Sequence, residues 1–245
     1  MFMNATTIKA SNTKLDSITL LFVSICFKMN IVKKYLIATR SFFNITCFVF
    51  LLEGIIVSYV QTQSIHLGKL VLVFLLSVLT HNMSYLANSL IDFCTGSDVA
   101  ETSNDRTLFE LITFKELYLF LVFISCLICS LLFIVYNVFS VIEFYQFLYF
   151  VIFQVICAWI YTPLKYFAMG HIIFSGFFMS VYFWAIFVCT GSFPVWGPEV
   201  KYSLLTPILL TLAIHGNYIR DYDADKKAKI YTTATIFKKK KCNIS

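Results

Sequence analysis

The chain is 245 residues long, 59% hydrophobic and 13% charged, with a mean hydropathy of +0.81. Soluble domains carry about 45–50% apolar and about 25% charged residues, so the composition excludes an ordinary soluble fold. The net charge of +6 does not call for nucleic acid: there is no zinc-finger spacing and no basic-aromatic array, and the basic residues flank apolar blocks, where they set topology and meet anionic membrane lipid.

Residues 1–32 read as an N-terminal interfacial segment. Its apolar run, Ile18 to Phe27, is too short to span a bilayer and lacks the small-residue cleavage site of a signal peptide. Residues 33–237 read as the membrane domain, with spans at about 41–60, 70–91, 117–137, 144–161, 168–190 and 202–219. These are continuous apolar blocks without the period-two alternation of a transmembrane barrel. The fold expected is therefore all-α, a polytopic membrane helical bundle, followed by a basic tail at 238–245. Seventeen of the 19 Lys and Arg residues fall on one side of these spans, and only Lys69 and Lys201 on the other. The positive-inside rule puts the N-terminus and the loops after the second, fourth and sixth spans in the cytoplasm. The eight cysteines do not form a disulfide framework, and Cys126 and Cys129, formally a CxxC, sit mid-span among Leu, Ile and Phe as small hydrophobes.

Carboxylates are costly inside a bilayer, so clusters at its edge point to function. The second span exits through Asn88-Ser-Leu-Ile-Asp92-Phe-Cys-Thr-Gly96-Ser-Asp98. Asn88 and Asp92 lie one helical turn apart on one face, and Gly96 permits a turn that folds Asp98 back toward them. The sixth span exits through Asn217-Tyr-Ile-Arg220-Asp221-Tyr-Asp-Ala-Asp225, where Asn217, Asp221 and Asp225 recur at intervals of four and are expected on one face of a helix leaving the span. Two helix ends thus offer hard oxygen ligands that suit Mg²⁺, which usually takes one or two carboxylates plus substrate phosphate oxygens. A calcium-loop reading of Asp221 to Asp225 fails because the sixth and twelfth positions hold Lys226 and Thr232. Between spans four and five lies Tyr161-Thr-Pro-Leu-Lys165-Tyr166. Pro163 is expected to break the helix into a cytoplasmic loop there, with Lys165 able to neutralise a diphosphate and Tyr161 to donate a hydrogen bond. Glu53 and His81 are expected to face the bundle interior in interhelical hydrogen bonds, and His215 precedes the second acidic stretch, within reach of a substrate.

These stretches, with Ser103-Asn-Asp105-Arg106-Thr-Leu108 after the first, resemble the two aspartate motifs of the UbiA superfamily of intramembrane prenyltransferases, in the spacing of its menaquinone-type branch as found in animals. The Tyr161–Lys165 element is similar to the family's Tyr/Lys loop, and Ala38-Thr-Arg40-Ser-Phe-Phe43 to the start of its first helix, with Ser41 in place of the usual Pro. His171 stands after Gly170 where the branch usually carries an acid. The resemblance implies a helical bundle around a membrane cavity and Mg²⁺ held by Asp92, Asp98, Asp221 and Asp225. It implies Asn88 and Asn217 orienting metal or diphosphate, Arg106, Lys165 and Arg220 pairing with phosphate, and Tyr161 with Lys165 as a catalytic element. The partners implied are an isoprenyl diphosphate and an aromatic, naphthoquinol-type acceptor, in menaquinone or vitamin K synthesis. The family has nine transmembrane helices and the chain supplies six, so the expectation is a chain cut short at its C-terminus, lacking one cavity wall and inactive alone. The location expected is the endoplasmic reticulum or Golgi, with the basic N-terminus leaving mitochondria open. Two other classes are consistent with intramembrane acids: a non-catalytic lipid- or diphosphate-binding membrane protein, and a transporter, which would need acids at mid-bilayer and repeated segments.

Overall fold

The computed structural model describes residues 31–98, 107–192, 201 and 204–237. The apolar run 18–27, Asp105, Arg106 and the tail 238–245 lie outside the described residues. The chain divides into two units, 1–37 and 38–245; the described part of the first is helical. The second opens with a 3₁₀ turn, Ser41–Asn44, and continues through α1 (Ile45–Thr62), α2 (Leu67–Cys94), α3 (Phe114–Val138), α4 (Val141–Lys165), α5 (Gly170–Thr190), α6 (Leu205–Arg220), α7 (Tyr222–Lys227) and α8 (Thr233–Ile236). No strand occurs among the described residues; a single parallel bridge joins Phe167 to Tyr231.

Among the described residues, five helices are long and apolar enough to cross a membrane: Ser41–Thr62, Leu67–Cys94, Phe114–Val138, Val141–Lys165 and Gly170–Thr190. The polytopic helical bundle expected from the sequence is therefore present. The sixth expected span is shorter than the others. α6 has 16 residues, about 24 Å at 1.5 Å per residue, short of a hydrocarbon core of about 30 Å. α2 is the longest at 28 residues, about 42 Å, so it has length to carry its end beyond the apolar layer.

Local sequence sets the helix ends. Thr113 and Ser140 each close a capping box with the Glu three residues on, which fixes the starts of α3 and α4 and makes the connection between them tight. α5 packs on α1 and α4, and α2 on α4. α1 and α5 approach closely at Gly54, where an added Cβ would lie 2.6 Å from the Ala185 Cβ and 2.7 Å from the Tyr182 carbonyl oxygen. Beside this crossing Phe50 stacks on Phe178 at 5.3 Å, and Phe147 and Phe150 flank Trp184. One polar knot lies in the apolar interior. Thr80 donates to Gln154 Oε1 (2.8 Å), and Gln154 Nε2 donates to Ser77 (3.4 Å) and Ser180 (3.2 Å), tying α2, α4 and α5 together. All four residues are buried, and such bonds between membrane helices average about 0.6 kcal/mol. The exposed apolar residues of α3, among them Leu119, Phe123 and Phe133, mark its lipid-facing side, where Cys126 and Cys129 are free thiols.

Glu53 accepts a hydrogen bond from Thr206 across α1 and α6, and His81 Nδ1 lies 3.0 Å from Asn44 Oδ1. Both expected interhelical bonds are therefore formed.

Candidate active site

The site is built at the C-terminal end of α2. Asn88 and Asp92 lie one turn apart and face the last turn of α4. Asp92, only 5% exposed, receives Lys165 Nζ at 2.9 Å on Oδ2 and 3.2 Å on Oδ1. The Tyr166 hydroxyl donates to the same carboxylate. Asn88 Oδ1 accepts from the buried Thr162 hydroxyl at 3.0 Å and from Lys165 at 3.4 Å. One lysine therefore spans both residues of the first acidic stretch. A buried charge is tolerated only when paired and hydrogen-bonded, and Asp92 meets both conditions.

The helix ends in a tight reversal. Gly96 has φ +71°, the left-handed region open to glycine, and the backbone N–H groups of Ser97 (2.9 Å) and Asp98 (3.1 Å) both donate to the Asp92 carbonyl. Asp98 is thereby brought back beside Asp92, half-buried. The Thr95 and Ser97 hydroxyls each lie 3.1 Å from the Tyr166 hydroxyl, so the reversal and the end of α4 share a hydrogen-bond cluster.

Pro163 does not open a loop. α4 continues through it to Lys165, correcting the sequence expectation. Proline removes one backbone donor and crowds the preceding turn, a cost confined here to the last turn of the helix. The consequence is functional: Thr162, Lys165 and Tyr166 are held in helical register with one another, so all three reach α2.

The second acidic stretch departs from the expected single helix. α6 ends at Arg220, and Asp221 (φ −90°, ψ 5°) separates it from the short α7. The register survives the break, because Asp221 N–H donates to Asn217 O and Asp225 N–H to Asp221 O, each at 2.9 Å. Arg220 grips Asp221 through two parallel bonds, Nε to Oδ1 at 2.9 Å and Nη2 to Oδ2 at 2.8 Å. Asn217 and Arg220 are exposed.

The two stretches meet through the loops beside them. Tyr231 N–H donates to Tyr166 O at 3.1 Å, and Ile230 N–H to Asp225 O at 2.9 Å, so the segment after α7 is stitched to the end of α4. The Tyr161 hydroxyl lies 3.4 Å from that of buried Tyr218, linking α4 to α6. His215 Nδ1 lies 2.9 Å from the Thr233 hydroxyl, and its ring lies 6.0 Å from His171.

Electrostatics shows the same convergence. Burial pushes the Asp225 carboxyl up to about 6; Lys165 opposes the rise, while Asp221 and Asp92 add to it. Asp225 thus senses both acidic stretches and the lysine between them. Burial raises the Tyr166 hydroxyl above its usual range, and the Asp92 carboxylate it touches raises it further. Tyr166 therefore acts as a donor.

Among the described residues no three His, Cys, Asp or Glu side chains gather closely enough to enclose a metal ion unaided. Mg²⁺ does not require such a cage, because it binds through one or two carboxylates and takes its other ligands from phosphate and water. The donor set fits it on that basis. Asp225 is hard to ionise beside Asp221 and Asp92, and a divalent cation is the group that relieves such crowding.

Of the residues read from the sequence, the structure brings Asn88, Asp92 and Lys165 into direct contact, with Asp98 beside them and Asp225 within electrostatic reach. Tyr161 binds Tyr218 instead of the acids, and Arg106 lies outside the described residues. Thr162, Tyr166 and Tyr218 join the site without having stood out in the sequence. The first two carry a legible signal, since they stand three before and one after Lys165 at the end of an apolar block. Tyr218 carries none beyond its place beside Asn217.

No curated protein sequence matches the chain. The model of the UbiA prenyltransferase family matches residues 47–245, which covers every element of the site and all of α1 to α8 except Ile45 and Thr46, and the chain belongs to that family.

Proposed function

We propose that the chain transfers an isoprenyl group from an isoprenyl diphosphate to an aromatic, naphthoquinol-type acceptor, as in menaquinone or vitamin K synthesis, with Mg²⁺ as cofactor. The observation that carries this reading is the buried Lys165–Asp92 pair, coupled electrostatically to Asp225. A cation and several acids at one end of a membrane bundle suit a substrate whose head is a polyanion and whose tail is apolar. The branch assignment rests on the spacing of Asn88, Asp92 and Asp98.

Asp92, Asp98, Asp221 and Asp225 are the residues that would hold Mg²⁺. When bound, it neutralises negative charge growing on the diphosphate as the allylic carbon–oxygen bond breaks. Lys165 supplies fixed positive charge to the same leaving group, and Tyr166 and Tyr161 supply hydroxyl donors. Arg220, exposed and bonded to Asp221, would exchange that carboxylate for phosphate. The apolar bundle holds the prenyl chain and excludes water, which would otherwise capture the cation. The distribution of basic residues supports a cytoplasmic face for this end of the bundle.

The test is prenyl transfer in membranes containing the protein, with geranylgeranyl diphosphate and a naphthoquinol. On this reading, and against the expectation from helix number that the chain is inactive alone, turnover that requires Mg²⁺ and falls at least about 100-fold in Asp92→Asn is expected, the scale of losing one electrostatic group aimed at the transition state. Full turnover in that variant overturns the reading.

A further inference from the structure

We propose that His81 is the specificity residue for the aromatic acceptor, recognising a ring hydroxyl through its Nε2 atom; this rests on the prenyl-transfer reading. His81 is 3% exposed on α2. Its Nδ1 lies 3.0 Å from Asn44 Oδ1 at the entrance to α1. An amide oxygen only accepts, so Nδ1 of the neutral ring carries the hydrogen and Nε2 keeps a bare lone pair. That Nε2 is buried and has no hydrogen-bond partner. Buried polar atoms are nearly always paired, and an orphan asks for an explanation. Here the missing partner is a donor, because the tautomer held by Asn44 can only accept.

The surroundings describe what brings that donor. The imidazole is enclosed by aromatic rings, with Tyr85 at 4.9 Å, Phe178 edge-on at 5.2 Å and Phe177 at 5.8 Å. The Arg40 guanidinium lies over the Tyr85 ring at 5.3 Å. Aromatic neighbours around one accepting lone pair suit a flat, electron-rich ring carrying a hydroxyl.

Position supplies an independent argument. His81, Asn88 and Asp92 are seven and four residues apart, so they share one face of α2. His81 lies about 10 Å along the axis from Asn88 and about 16 Å from Asp92, on the side away from the helix end. A donor whose diphosphate occupies the Asp92–Lys165 end carries no polar atom beyond that head. The acceptor does. An acceptor-only nitrogen on the face below the acids therefore discriminates for the ring and against the chain.

The experiment uses the full chain in lipid nanodiscs and measures equilibrium binding of 1-naphthol and 1-methoxynaphthalene by their fluorescence, with geranyl diphosphate binding measured on the same samples. Wild type is expected to prefer naphthol about three- to tenfold, the affinity worth of one hydrogen bond. His81→Phe, which keeps an aromatic ring in place, should abolish the preference and leave geranyl diphosphate binding unchanged. Asn44→Leu, which releases the tautomer, should weaken the preference without touching the enclosure; it also serves if His81→Phe fails to fold. His81→Gln, which retains an accepting oxygen, should restore part of it. An undiminished preference in His81→Phe, as when a buried water already satisfies Nε2, overturns the proposal, as does equal binding of both probes by wild type. Failure of wild type to bind geranyl diphosphate counts instead against the prenyl-transfer reading and leaves the naphthol comparison to decide the role of His81.

Discussion

Replacing Lys165 by Met should destabilise the bundle more than any surface change, and replacing Asp92 by Asn as well should recover most of the loss. The lysine side chain is 15% exposed and its Asp92 partner 6%. Breaking a buried ion pair by removing one member costs about 3–5 kcal/mol, because the other charge is left uncompensated. That corresponds to roughly two to nearly four decades in the folded population at about 1.36 kcal/mol per decade. Asp92 would keep only the Tyr166 hydroxyl and, through its backbone, the turn at Gly96. In Asp92→Asn/Lys165→Met neither charge remains, the Asn amide can still meet the Tyr166 hydroxyl, and the buried charge pair is gone, a change that is often neutral. Thermal unfolding in detergent of wild type, both single variants and the double variant closes the cycle. A coupling of at least about 2 kcal/mol is expected, with the double variant near wild type in stability yet inactive in prenyl transfer. If the single Lys165→Met variant unfolds within about 1 kcal/mol of wild type, the pair is hydrated rather than buried, and the expected coupling does not exist.

Two further outcomes follow from the packing and from Asp225. Gly54→Ala should cost about 1–3 kcal/mol in the same unfolding assay, since its methyl would meet the Tyr182 backbone carbonyl, which a rotamer change cannot move; unchanged stability would mean that α1 and α5 are not in contact there. The folded-state carboxyl of Asp225 titrates near 6 against an ordinary 3.8, so its contribution is fully present below about pH 4 and lost as pH rises through 6. Without divalent cation, the stability of wild type relative to Asp225→Asn should therefore fall between about pH 4 and 6 and level off above, whereas a flat difference would place Asp225 in open water.

Much of the bundle is legible in the amino-acid sequence. The apolar blocks specify helices because a bilayer satisfies the backbone only in helices or closed barrels and the blocks lack a barrel's alternation, and five of those described are long enough to cross. The pairing of Asn88 with Asp92 follows from a spacing of four. The partner of Asp92 does not follow from any spacing. Lys165 lies 73 residues away, and only the parallel packing of α2 and α4, which brings their C-terminal ends together, puts it there. Pro163 misleads for a local reason: a proline near a helix end removes a bond that the fraying turn can spare, so the helix need not stop before it. The break at Asp221 is equally hidden, because the backbone bonds on either side preserve the spacing that suggests a continuous helix.

The arrangement also bears on how such a site stays closed without substrate. An acid cluster at the edge of a bilayer would repel itself and admit water. Here Lys165 neutralises Asp92, Arg220 neutralises Asp221, and Asp225, without a salt bridge of its own among the described residues, is the carboxyl whose ionisation is held back. Each cation occupies a position that a phosphate oxygen would compete for. On the prenyl-transfer reading, a diphosphate would draw Lys165 and Arg220 away from their carboxylates and so free the acids that would hold a divalent cation. The cost of parting each pair is offset by charge-assisted bonds of the same kind to phosphate. Binding of donor and metal should then be mutually dependent, since neither alone supplies both the anion that the cations need and the cation that the carboxylates need. Tyr166, bonded to Asp92 and stitched by its carbonyl to the segment after α7, is the residue through which that exchange reaches both acidic stretches at once.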